Sequence, residues 1–178
     1  MPHTPFADMS CSVARTLDII GDRWTPLVLR DVALGISRFD RIQSNLGVSR
    51  KVLTQRLNHL VEHGVVQRVA YQEHPPRHDY HLTERGAELA VVLLAVQSWG
   101  DRWVPTEDGP PVVWRHERCG QFAQAQVTCS CCGEPLRAGE VVPFLGPRTD
   151  PGPGASEVPA AVARIHALAG IEDERPRP

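Results

Sequence analysis

A chain of 178 residues is long enough for one domain, or one domain with a small appendage, and its 42% hydrophobic and 22% charged side chains exclude a wholly disordered polymer. No apolar run approaches the ~18 residues of a membrane-spanning helix. The start, MPHTPFADMSCS, lacks the basic-then-apolar pattern of a secretory signal, so a cytoplasmic protein with no membrane partner is expected. The net charge of −2 argues against a nucleic-acid binder only when summed over the whole chain. Residues 1–104 carry 12 basic and 11 acidic side chains, and residues 105–178 carry 7 and 10. Between Arg38 and Arg56 five basic residues (Arg38, Arg41, Arg50, Lys51, Arg56) face one acid, Asp40, a local excess suited to phosphates.

Elements follow from periodicity. Val13, Leu17 and Ile20 fall at helical spacing, and so do Trp24, Leu27, Val28 and Val32, with Pro26 tolerated in a first turn. Ile42 and Leu46 mark a short third helix ended by Gly47. Ser49 is placed to cap a fourth, whose apolar positions are Val52, Leu53, Leu57, Leu60 and Val61 and which Gly64 stops. The period then changes to two over residues 65–71 and 78–82, with the turn-rich QEHPPR between them. Thr83 caps a long helix to about Trp103, with Leu89, Val92, Leu93, Val96 and Trp99 on one stripe. Helices, a hairpin and a final helix make the expected class α+β, mainly helical: a winged helix-turn-helix domain over residues 8–104.

Within that order, FDRIQSNLGVSRKVLTQRLNHLVEHG forms the unit that reads DNA: a short helix, a glycine turn and a capped amphipathic helix that enters the major groove. Its leading polar residues, Ser49, Arg50, Lys51, Thr54 and Gln55, are the candidate contacts, because arginine and glutamine make bidentate bonds to guanine and adenine. Arg38, and Arg77 and His78 at the hairpin tip, are candidates for the adjacent backbone or minor groove. The competing reading of these features is an ordinary helical hairpin with a solvated face and a plain surface turn.

Residues 11–104 resemble the HxlR-type regulators, a branch of the MarR-like winged-helix transcription factors. The resemblance is carried by GDRW, SRKVLTQRL, YHLTERG and SWGDRW in order and spacing. It implies a homodimer that binds double-stranded DNA, usually as a repressor, with the dimer built from the N-terminal helix and the long last helix. Trp24, Trp99 and Trp103 are then expected in the core and the dimer seam. In some members of the family a cysteine placed like Cys11 senses oxidants or electrophiles. That chemistry needs a thiolate, and Arg15, one helical turn away, is placed to favour it; the plainer reading is a small packing residue.

Four of the five cysteines fall between Cys119 and Cys132. The spacing His116-x2-Cys119-x9-Cys129-x2-Cys132 offers two chelating pairs, which is what a tetrahedral zinc site requires. Cys131 is the spare and an alternative fourth ligand. Residues 112–145 are accordingly expected to form a small zinc-ribbon-like extension closed by one structural zinc, against the alternative of free thiols in a flexible tail. Residues 147–178 read as a Pro/Gly linker and tail, interrupted by an apolar stretch from Val158 to Ile171. The remaining histidines, His59 and His63 among them, read as surface or phosphate-contacting residues. An enzyme is not expected: a cluster that can fill all four zinc positions leaves none for water, and no nucleophile elbow, phosphate loop or HExxH is present. A winged-helix module that binds protein rather than DNA is the other alternative. The sequence names no small-molecule effector.

Overall fold

The computed structural model describes Phe6, residues 8–147 and residues 152–171. They divide into two compact units, one made of residues 19–127 and the other of residues 1–18 with 128–178.

In the larger unit the chain runs through the end of α1 (Ser12–Ile20), then α2 (Thr25–Ala33), α3 (Phe39–Leu46), α4 (Arg50–Glu62), β1 (Val66–Gln72), β2 (Arg77–Leu82), α5 (Glu84–Trp103), β3 (Trp114–His116) and β4 (Gln121–Ala123). This is the winged-helix order expected from periodicity. Leu29 of α2, Ile42 of α3 and Leu53, Leu57 and Leu60 of α4 are fully buried, together with Val28 and Val65. Each such side chain contributes about 1.5–3 kcal/mol by leaving water. The turn between α3 and α4 is made possible by Gly47, whose φ of 64° is left-handed. Ser49 then accepts the Val52 N–H and starts α4.

Polar groups also fix this core. Asp31 is fully buried, and its carboxylate takes hydrogen bonds from Arg30 Nη2 at 2.7 Å and Asn45 Nδ2 at 2.8 Å, tying α2 to α3. Asp22 caps the start of α2. Its Oδ1 accepts the N–H groups of Trp24 at 2.8 Å and Thr25 at 3.1 Å, and its Oδ2 accepts the Thr25 hydroxyl and, at 3.0 Å, Arg56 Nη1 of α4. Burial pushes the Asp22 carboxyl up, but these hydrogen bonds and the Arg56 charge outweigh it and hold it below its ordinary value. The GDRWT stretch is thus a local scaffold, and Arg56 belongs to it rather than to the basic footprint expected over residues 38–56.

The wing is the antiparallel pair β1–β2, with Val66 opposite Leu82 and Arg68 opposite Tyr80. Tyr80 N–H donates to Ser37 O at 2.9 Å, and Arg38 bridges to Asp79, so residues 37–38 add a short third edge. α5 starts at Thr83, whose hydroxyl accepts the Gly86 N–H. At Gly86 a Cβ would overlap the Val65 carbonyl oxygen, so glycine is what lets α5 lie this close to the wing. The β3–β4 hairpin is held by the far half of α5: Trp114 Nε1 donates to Gln97 Oε1 at 2.9 Å, Gln97 Nε2 to Val112 O at 3.0 Å, and Ala125 N to Ser98 Oγ at 3.0 Å. Residues 112–127 therefore fold with the winged helix, and the Cys-rich stretch is divided after Val127 instead of forming one unit over 112–145.

In the smaller unit Ser10 N–H donates to Pro153 O, and Gly154 lies against Met9. Part of the expected linker and tail proves to be regular: α6 (Val158–Ala169) buries Val162 and His166, and His166 Nε2 lies 2.8 Å from Pro143 O, with its ring 4.6 Å from that of Phe144. The remaining parts of that segment, residues 148–151 and 172–178, lie outside the described residues. Among the described residues no helix is long and apolar enough to cross a membrane.

Candidate nucleic-acid interface

α4 has two chemistries because its leucines recur at helical spacing. With Leu53, Leu57 and Leu60 turned inward, Arg50, Lys51, Thr54 and Gln55 are exposed on the opposite side. The structure thus brings four of the predicted contacts onto one face. Ser49, the fifth, spends its hydroxyl on the helix cap. Arg38 lies at the start of α3, with its guanidinium 4.6 Å above the Tyr71 ring and Nε 3.8 Å from Asp79 Oδ1, so its position is fixed by the wing. Arg77 and His78 open β2.

Between α4 and the wing lies an open groove of about 650 Å³. Arg50 and Thr54 line it from the helix, and Arg77 and His78 from the wing. Three further lining residues, Asn58, Arg68 and Tyr71, were missed from the sequence. Asn58 continues the exposed face of α4 one turn beyond Thr54, so extending the helical wheel finds it. Arg68 and Tyr71 depend on strand register. Tyr71 sits at a bulge where the pairing shifts between Ala70 and Gln72, and no sequence pattern marks that bulge.

The outer surfaces of α1 and α5 are apolar. Val13 and Leu17 of α1 are exposed, as are Val92, Val96, Trp99 and Trp103 of α5, the two tryptophans by 61% and 62%. Leu89 and Leu93 instead pack against the core, as does Trp24. The expected stripe on α5 is therefore two adjacent rows, one internal and one left to solvent.

Cys11 is partly exposed, and Arg15 does not address its sulfur: Nη1 donates to Met9 O and Nη2 to Ser12 Oγ. His59 and His63 are tied to the fold, through Ile19 O and His59 O respectively, rather than offered to phosphates. In the β3–β4 turn His116 Nδ1 lies 3.4 Å from Cys119 Sγ. Cys129 opens a tight turn in which Gly133 N–H returns to Cys129 O, and the N–H groups of Cys132 and Cys131 hold the Cys129 thiol below its ordinary value. Backbone N–H groups aimed at the Cys129 sulfur suit a thiolate ligand, whereas the His116–Cys119 turn offers only the nearness of an imidazole nitrogen to a thiol, with Cys119 Sγ also 3.8 Å from His116 O. Among the described residues no group of three or more such donors is assembled, and the two turns belong to different units.

A capped helix with a polar outer face beside a β-hairpin defines the helix-turn-helix class of transcriptional regulators. A family model described as HxlR-like helix-turn-helix matches residues 19–108, and the chain belongs to that family. Over 136 residues it is 43% identical to the uncharacterized HTH-type transcriptional regulator Rv3095 of Mycobacterium tuberculosis (strain ATCC 25618 / H37Rv), covering 76% of this chain and 86% of the relative. It is 39% identical over 98 residues to sll1512 of Synechocystis sp. (strain ATCC 27184 / PCC 6803 / Kazusa), named in the same way, covering 54% and 73%. Among solved structures, PA1607, a candidate transcription factor, superposes with a TM-score of 0.69 at 35% identity, over 82% of this chain and all of that one. PA1374 of Pseudomonas aeruginosa follows with a TM-score of 0.54 at 30% identity, over 79% and 95%. These shares exceed the winged helix alone, so the similarity to both runs into the C-terminal part.

Proposed function

We propose that the protein binds operator DNA sequence-specifically as a homodimer and acts as a repressor. The observation that carries this reading is the face of α4 that holds Arg50, Lys51, Thr54 and Gln55 together beside the wing. Arg50 and Gln55 read base edges. Lys51, Thr54 and the backbone at Ser49 hold the register on phosphates, and Arg38, Arg77 and His78 extend the contact through the wing. The apolar outer face of α5 supports dimerisation, since a lone domain gains nothing by leaving two tryptophans in water. Selection of duplexes from a random pool tests the proposal. Recovery of a pseudo-palindrome with half-sites about one helical turn apart is expected, together with derepression of a reporter when the gene is removed. Failure to enrich any sequence sinks it.

The zinc reading rests on His116, Cys119, Cys129 and Cys132, with Cys131 as the alternative fourth ligand, and on the ligand chemistry of the two turns. Zinc there is structural. About one zinc per chain, lost in Cys129→Ser, is the expected result of elemental analysis of protein prepared without chelator. Metal-free protein with an unchanged C-terminal part overturns it. Redox control through the partly exposed Cys11 is a second reading, in which oxidant weakens DNA binding by the wild type and not by Cys11→Ser.

A further inference from the structure

We propose that the groove between α4 and the wing seats one phosphate of the DNA backbone, with Arg68 as the wing's positioning contact to it. The proposal rests on the DNA-binding reading above and adds to it a residue and a subsite that the sequence did not reveal.

The argument starts from strand parity. Arg68 pairs directly with Tyr80, and cross-strand partners share a face of the sheet. Tyr80 is buried, and burial pushes its hydroxyl pKa up, so that face is the inner one, turned toward the helices. A guanidinium placed only to solvate the wing would sit on the other parity, with Gln67 and Val69. Arg68 instead occupies the inner parity where the sheet runs past the edge of the core, and it lines the groove. Arg50 reaches the same groove from α4, its guanidinium 5.2 Å from the Phe39 ring centroid, and Arg77 reaches it from β2.

Charge then selects the ligand. Three guanidiniums line this concavity, and the one carboxylate among the lining residues is Asp40. Among the described residues none of Arg50, Arg68 and Arg77 comes within 4 Å of a carboxylate oxygen, in contrast to Arg30, Arg38, Arg56 and Arg137. Such convergence costs mutual repulsion unless an anion relieves it. Asn58 and Thr54 add neutral donors, and Tyr71, brought to the groove at the bulge and stacked under Arg38, closes one wall. A tetrahedral dianion or a backbone phosphodiester fits the donors Arg68, Arg77, Thr54 and Asn58, while Arg50 adds its charge to the groove and remains the base-reading residue of the helix. The groove borders the outer face of α4, so the phosphodiester is the anion delivered when that helix enters a major groove.

The test uses the full chain and a labelled duplex recovered by selection, titrated across salt concentrations. Arg68→Gln should lower the slope of log affinity against log salt by up to about 0.9, the value for one whole phosphate contact, which corresponds to up to about eightfold weaker binding at 0.1 M salt. Arg68→Lys should keep the slope. The ranking of base substitutions in the duplex should be the same in all three proteins. Methylphosphonate copies, neutral at one phosphate each, should contain a position at which the wild type loses more affinity than Arg68→Gln does. A slope in Arg68→Gln equal to that of wild type overturns the proposal. It is overturned equally if pyrophosphate at constant ionic strength raises the melting temperature of wild type but not of Arg68→Gln while the DNA slope stays the same, since the groove would then serve a free anion. Neither result touches the DNA-binding reading, which fails only if no duplex is selected or if Arg50→Ala and Lys51→Ala bind DNA as the wild type does.

Discussion

α4 seats Leu53, Leu57 and Leu60 fully inside and turns arginine, lysine, threonine and glutamine outward. α5 sends Leu89 and Leu93 only part of the way in and turns Val92, Val96, Trp99 and Trp103 outward. The two helices share one core, yet the first is satisfied by it and the second is not. An apolar stripe in a sequence therefore does not by itself separate what a domain buries from what it keeps for a partner. That separation depends on how many rows of the stripe the fold can cover.

The comparison can be broken at several points. The largest effect is expected from Leu57→Ala, which empties a fully enclosed site on α4 and should cost about 2–5 kcal/mol in a denaturant titration. A truncation costing under about 1 kcal/mol would mean that the α4 side is loosely packed. On α5, Val96→Glu should leave the fold intact and weaken self-association by about 3 kcal/mol, roughly 100-fold, through an unpaired carboxylate at the seam. Sedimentation would then give a monomer mass where the wild type gives a dimer. An unchanged mass removes the contrast between the helices. Next come Arg50→Ala and Gln55→Ala, each expected to cost about 1–3 kcal/mol in operator affinity with relaxed base preference and no change in melting temperature.

The smallest effect concerns Asp22, which anchors α4 from behind through Arg56. Asp22→Ala should lose about 1–2 kcal/mol of stability at neutral pH, the usual worth of a helix cap. Because the folded carboxyl titrates below its ordinary value, its contribution is present above the unfolded pKa and is lost as pH falls through the folded one. The gap between wild type and variant should therefore close as pH falls below about 4. A gap that widens with acid would contradict the sign.

Much of the winged helix was legible because its signals are local. The leucine spacing of α4, Gly47, the Ser49 cap and the Thr83 cap each depend on a few neighbouring residues. What escaped depends on pairs far apart in the chain. Arg56 reads as a surface charge in the sequence because its partner is Asp22, 34 residues earlier. The facing of Arg68 depends on register with Tyr80, and that of Tyr71 on the bulge, and neither is written in the local sequence. The strands β3 and β4 have three residues each, too few to show period two. α6 carries Val158, Val162 and Ile165 at helical spacing, a local signal masked by the proline-rich approach to it.

The close approach at Gly86 bears on more than packing. It pins the first turn of α5 to the wing, while the apolar face of the same helix lies toward the opposite end. Twenty residues at 1.5 Å each make α5 a rod of about 30 Å, packed at one end against the wing and, in the proposed dimer, meeting a second copy at the other. A tilt of about 10° at the pinned end swings the far end by about 5 Å, more than the ~3.4 Å between stacked bases. In the proposed dimer a side chain at residue 86 would therefore shift the angle of this rod, and with it the distance between the two reading helices.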